Sequence, residues 1–153
     1  MSTLKKILVH KDKSCKSIWF MRQAGRYLPE FRKIRLQNQN FIKLCLNSDI
    51  SSEITLQPIK RYNLDSAIIF SDILLVPYAL GQEVNFIKDQ GPVLSKFESN
   101  KLLSNNKINF TKKLQPIYQA IKKTRENLDK KKSLISFVGA PWTLLIYMMN
   151  LKE

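Results

Sequence analysis

The chain has 153 residues, with 26 Lys and Arg against 12 Asp and Glu, for a formal net charge of +14 at neutral pH. That length suits one domain able to bury roughly two thirds of its unfolded-chain surface, and a composition of 44% hydrophobic and 25% charged residues excludes the disordered and fibrous classes. Two cysteines, Cys15 and Cys45, without a leading apolar run and cleavage-like site, predict free thiols in a reducing compartment, and no apolar stretch reaches the ~20 residues of a membrane span, so a cytoplasmic protein without membrane contact is expected.

Residues 1–17 are polar and basic and read as a loosely packed N-terminal segment, with the single histidine, His10, solvated. From there, residues 18–153 read as one domain. Phe31, Ile34, Phe41, Ile42 and Cys45 recur at helical spacing, and Ser48 or Asp49 is expected to cap a second helix through Ile50 and Ile54 that Pro58 ends or kinks. Residues 64–70 (LDSAIIF) are apolar on both faces, as in a strand buried inside a parallel sheet. Segments 83–87 and 92–97 flank Lys88-Asp89-Gln90-Gly91 and predict a hairpin, with Gly91 free to take a positive φ. An amphipathic helix follows, carrying Leu114, Ile117, Tyr118, Ile121 and Leu128 on one face and ending near Asp129. Residues 134–138 (LISFV) predict a second buried strand, and Thr143 is the expected cap of a last helix.

This alternation of helix and strand argues for a parallel α/β architecture, either an open sheet or a (β/α)8 barrel. Only two central strands are visible, so a barrel would be incomplete as given, with sheet edges and apolar interior exposed. No repeat, Gly-rich phosphate loop, Cys-x-x-Cys pair or His-Glu-x-x-His stretch appears, which leaves phosphate-loop, zinc and nicotinamide chemistry unsupported. A charge of +14 favours anionic partners. The cations are nevertheless spread in short runs such as Lys112-Lys113, Lys122-Lys123 and Lys130-Lys131-Lys132, the pattern of a solvated surface rather than of a nucleic-acid-binding arm.

Two places have chemistry to offer. In WFMRQAGRYLP, Arg22 and Arg26 bracket Gln23, Ala24 and Gly25. Guanidinium groups suit forked capture of carboxylate or phosphate, and Ala-Gly lets a ligand approach the backbone; the same residues also suit two surface arginines beside a helix start. In Phe70-Ser71-Asp72, an acid follows the first strand at its C-terminal end, where parallel α/β folds build ligand sites, although Ser71 or Asp72 would equally serve as a backbone cap. Arginines that hold anions near a buried acid suit an anionic substrate that develops positive charge.

The segment 19–35, WFMRQAGRYLPEFRKIR, resembles the signature of the uroporphyrinogen decarboxylase family. DSAIIFSDILLVP at 65–77, then Gly81, Gly91-Pro92 and FVGAPWTLLIYM at 137–148, are similar to further blocks of that family in the same order. The resemblance implies the N-terminal portion of a (β/α)8 TIM barrel. The implied activity removes the four acetate carboxyls of uroporphyrinogen III to give coproporphyrinogen III, without metal or organic cofactor, in an enzyme that is a homodimer. It further implies that Arg22 and Arg26 bind carboxylates of the tetrapyrrole, with Gln23, Ala24 and Gly25 lining the same loop and Arg35 a secondary candidate. Asp72 would accept hydrogen bonds from the pyrrole N–H groups, and Tyr147 would stand near the reacting acetate. The family chain is about twice this long, so the serine and histidine that complete its cleft would lie outside these residues and the chain alone is expected to be inactive. The competing readings are a methyltransferase of the same superfamily and a non-catalytic basic binding module.

Overall fold

A computed structural model describes residues 1–25, 27–87, 90–100 and 106–151. Helix α1 (Thr3–His10) opens the chain, capped by the Ser2 hydroxyl, which accepts from the Lys5 N–H. The expected loose start is therefore helical in part, and Ser2 Oγ lies 2.7 Å from Ser133 Oγ at the beginning of the last strand. Helix α2 (Pro29–Gln37) begins with proline at its first turn, where the missing N–H costs nothing. Helix α3 (Phe41–Cys45) is separate from it, so the apolar series from Phe31 to Cys45 belongs to two helices broken at 38–40. Asn40 caps α3 through the Lys43 N–H.

Helix α4 (Ser48–Arg61) is capped one residue earlier than expected, by Asn47, whose Oδ1 accepts from both Asp49 and Ile50 N–H. Pro58 does not end it: the helix runs through to Arg61, with the Tyr62 N–H still bonded to the Pro58 carbonyl. A proline in the last turn keeps a helical φ and removes one donor, a smaller loss than in mid-helix. Strand β1 (Ser66–Ile68) follows, then a short helix α5 (Leu75–Leu80) that the sequence pattern did not announce. Gly81, at φ 103°, terminates α5 in the left-handed conformation that glycine adopts without strain.

The predicted hairpin is present as β2 (Val84–Ile87) and β3 (Gly91–Leu94), antiparallel with Ile87 opposite Gly91. Gly91 has φ 82°, as the turn requires, while Lys88 and Asp89 lie outside the described residues. Helix α6 (Lys107–Asn127) packs along α4, where Ala120 and Thr124 are fully buried and Thr124 Oγ1 donates to Ser52 Oγ at 3.1 Å. Small side chains at that seam let the two backbones approach.

Strand β4 (Ser133–Ile135) then pairs with β1 in parallel, Ala67 opposite Leu134. It is only half-buried, and Phe137 and Val138 beyond it are exposed, so the second strand is not the buried one the pattern predicts. Among the described residues no other strand pairs with it. Helix α7 (Pro141–Met148) starts on Ala140 and Pro141, and Thr143 lies inside it instead of capping it. The main core joins Leu28, Phe31, Leu44, Ile54, Phe70 and Leu74, with Phe31 and Phe41 both edge-on to Phe70 at 5.8 and 5.9 Å. The described residues thus form a mixed α/β fold. None of their helices is long and apolar enough to cross a membrane.

Candidate active site

Parallel pairing sets the C-terminal ends of β1 and β4 side by side, so the turns that leave them are neighbours. Gly139, after β4, shows how close they are. A Cβ there would come within 3.1 Å of Ile73 Cβ and 2.7 Å of Leu144 Cδ2, so a side chain would have to displace Leu144 and crowd Ile73.

The arginine-bearing loop reaches this end along the free edge of β1. Ile18 N–H donates to Asp65 Oδ2 at 2.7 Å, and its carbonyl accepts from Asp65 N–H. Five residues on, the buried Gln23 donates from Nε2 to Ser66 O at 2.7 Å and accepts the Ile68 N–H at 3.1 Å on Oε1. Its carboxamide thus stands in for a neighbouring strand, and both of its polar atoms are engaged with backbone. One of the edges expected to be open is therefore covered by side chains. The loop then folds back: Leu28 N–H bonds to Gly25 O, and the Tyr27 hydroxyl donates to Gln23 O at 3.0 Å. The Tyr27 ring lies so close that a Cβ on Gly25 would fall 2.0 Å from its Cε1, so a side chain there would have to push this exposed ring aside. Ala24 is half-buried against the core. Arg22 is exposed and makes no hydrogen bond or ion pair among the described residues; Arg26 lies outside them.

Asp72 is half-buried in the turn after β1. Its Oδ1 accepts the Leu74 N–H at 2.8 Å, and Oδ2 has no hydrogen-bond partner among the described residues. Burial pushes its carboxyl above the ordinary value of 3.8, opposed by that one hydrogen bond. Cys45 lies close enough to feel it: burial first, then the Asp72 charge, hold the Cys45 thiol protonated, with Arg35 opposing. Arg35 itself donates from Nη1 to the Asn38 and Gln39 carbonyls and sits over the Phe41 ring at 5.6 Å, so this nitrogen is engaged at the break between α2 and α3. Tyr147 is 40% exposed on α7, and its hydroxyl has no described hydrogen bond. Asp72 stands at the C-terminal end of β1, toward which the Gln23 loop runs, while Tyr147 lies in the last turn of α7.

The chain matches the profile of the family described as uroporphyrinogen decarboxylase (URO-D) over residues 2–153. It belongs to the uroporphyrinogen decarboxylase family. Proteins named uroporphyrinogen decarboxylase from Rickettsia felis and Rickettsia rickettsii (strain Sheila Smith) are each 50% identical over 133 residues, and one from Rickettsia canadensis is 48% identical. In each case the alignment covers 87% of this chain but 38% or 39% of the relative, so the chain spans under two fifths of those proteins.

Sequence reasoning missed the hydroxyls of α4, although a signal was there. Ser51, Ser52 and Thr55 recur at helical spacing among apolar neighbours, and all three are buried. Polar residues on a buried stripe must be paired with something. Here Ser51 Oγ donates to Phe70 O at 2.6 Å, and Thr55 Oγ1 accepts the Phe70 N–H at 2.8 Å. Among the described residues no cluster of His, Cys, Asp and Glu could hold a metal ion.

Proposed function

We propose that the protein to which this chain belongs is a cytoplasmic uroporphyrinogen decarboxylase, converting uroporphyrinogen III to coproporphyrinogen III. The chain contributes the N-terminal portion of a (β/α)8 barrel and its first substrate-binding groups, in an enzyme that works as a homodimer. The observation that carries the reading is Asp72: a carboxylate after a parallel strand, one oxygen fixed by backbone and the other free, in a chain of this family.

Uroporphyrinogen bears eight carboxylates, so Arg22 and Arg26 orient it by charge-assisted hydrogen bonds. Protonation of a pyrrole ring carbon places positive charge on the ring nitrogen. The bond between the acetate methylene and its carboxylate then breaks, CO2 leaves, and the electron pair flows into the ring. A second proton on the methylene completes a methyl group and the ring carbon gives up the first proton to restore the pyrrole, so each acetate and one net proton become a methyl and CO2. Asp72 faces the nitrogen cation and stabilises it, the charge-reversed counterpart of an oxyanion hole. The cation in turn favours the ionised carboxylate and offsets the burial that raises its pKa. Tyr147 presents its hydroxyl to the departing carboxylate. The scheme needs no cofactor.

The test is the complete gene product, assayed on uroporphyrinogen III with and without Asp72→Asn. Loss of about 100-fold or more in kcat is expected, the scale on which preorganised groups at developing charge act. An Asp72→Asn enzyme that turns over at the wild-type rate refutes the role given to Asp72.

A further inference from the structure

The root of the turn that carries Asp72 is held by β4 on one edge and by helix α4 on the other. In a parallel ladder, alternate residues direct their N–H and C=O groups to opposite edges. The Asp65 C=O and the Ile69 N–H face β4: the Ser133 N–H donates to Asp65 O at 3.0 Å, and the Ile69 N–H to Ile135 O at 2.9 Å. Ser66, Ile68 and Phe70 face the other edge. Gln23 takes the first two, and Phe70, the last residue before the turn, gives its N–H to Thr55 and its C=O to Ser51. Thr55 Oγ1 also donates to the Ser51 carbonyl at 2.7 Å, so its single proton is spent within the helix and the hydroxyl can only accept from Phe70. Both hydroxyl-bearing residues are essentially sealed from water, at 0% and 1% exposure. The two bonds therefore fix the backbone of Phe70 on both sides of its Cα, two residues before the carboxylate.

We propose that Ser51 and Thr55 are positioning residues for Asp72. The proposal rests on the decarboxylase reading above and deepens it. Thr55→Val keeps the volume, removes the acceptor and strands a buried N–H at the root of the turn. The carboxylate then loses its fixed bearing on the pyrrole nitrogen, while substrate capture by arginines on a separate loop stays as it was.

The measurement is steady-state kinetics of the complete gene product, with thermal denaturation of each variant. For Thr55→Val a fall in kcat of about 10-fold or more is expected, since displacements of about 1 Å cost on that order. KM should stay within about twofold of wild type, the split that marks an interaction realised in the transition state. Thr55→Ser, which restores the acceptor, should recover most of kcat. Ser51→Ala leaves the Thr55 bond in place and carries the same readout should Thr55→Val fail to fold. A variant with a lower Tm but wild-type kcat per folded molecule shows a merely structural role and overturns the proposal alone. A wild-type enzyme with no turnover of uroporphyrinogen overturns the functional reading, and this proposal with it.

Discussion

At the scale of single residues, Asp72 and Cys45 are two acids pushed in the same direction by the same burial. Asp72 is raised above 3.8 chiefly by desolvation, so the folded state binds its proton more tightly than the unfolded state. By linkage, the unfavourable contribution is absent below the unfolded value and grows as pH rises from there through the folded pKa. At neutral pH the charged carboxylate therefore costs stability. Asp72→Asn, which keeps an oxygen for the Leu74 N–H, should raise Tm at pH 7, with the gain shrinking to nothing below about pH 4, near the unperturbed carboxyl pKa. Thermal scans across that range decide it, and an unchanged or lower Tm at pH 7 contradicts the burial argument. Cys45 is fully buried and its thiol is raised, whereas Cys15 is half-buried, with Sγ donating to Asp12 Oδ2 at 3.3 Å. Iodoacetamide under native conditions should thus label Cys15 alone, with Cys45 labelled only after denaturation, since thiolate and access together control reactivity. Prompt labelling of both in the folded protein would contradict this packing.

At the scale of elements, the free edge of β1 is closed by side chains from two directions, Gln23 on the arginine loop and Ser51 with Thr55 on α4. Gln23→Leu fills similar space but leaves the Ser66 carbonyl and the Ile68 N–H unpaired. Each unmade buried bond costs about 1–3 kcal/mol, so a loss of roughly 2–4 kcal/mol in unfolding free energy is expected. Gln23→Glu should be no better, because a carboxylate keeps the acceptor for Ile68 but turns a second acceptor on Ser66 O. Denaturant unfolding curves measure both, and a loss under about 0.5 kcal/mol for Gln23→Leu would show the clamp to be dispensable. How these elements read in the sequence follows from the same physics. Alternating elements, the hairpin at Gly91 and the long amphipathic α6 were legible because each is governed by a local period or a local φ requirement. Clamps were not legible. Gln23 attracted attention as a loop residue beside arginines, and nothing local reveals that its carboxamide meets a strand 43 residues on. Helix α5 hid inside an apolar block already read as a family motif, and Asn47 lost the capping role in the reading to two residues one and two places later. For the site, Asp72 was visible from its place after a strand, while the half-burial that raises its pKa depends on packing no spacing encodes.

At the scale of the whole molecule, the described surface leaves several large apolar side chains exposed. They include Phe20 and Met21 before the arginine loop, Phe137 and Val138 after β4, and Trp142 on α7, with Val138 and Trp142 more than 70% exposed. The pattern reading had Phe137 and Val138 inside a buried strand, and they have no cover because β4 has one strand neighbour among the described residues. Two forces then compete in the isolated chain. Apolar contact favours association by roughly 25 cal/mol per Å² buried, so a shared patch of a few hundred Å² gives several kcal/mol. Repulsion between copies carrying +14 opposes it, but that term is screened over about 10 Å at 0.1 M salt and about 3 Å at 1 M. The balance makes a directional prediction: self-association of the 153-residue chain should strengthen as salt rises, together with binding of a hydrophobic dye and a blue shift of tryptophan emission as Trp142 is covered. Charge-driven binding to a polyanion would weaken over the same titration, so the two kinds of association have opposite signs. Sedimentation velocity at 0.05 and 1 M salt separates them. A chain that remains monomeric at both, excludes the dye and unfolds in one cooperative step would mean that its apolar surface is covered in a way these exposed side chains do not allow.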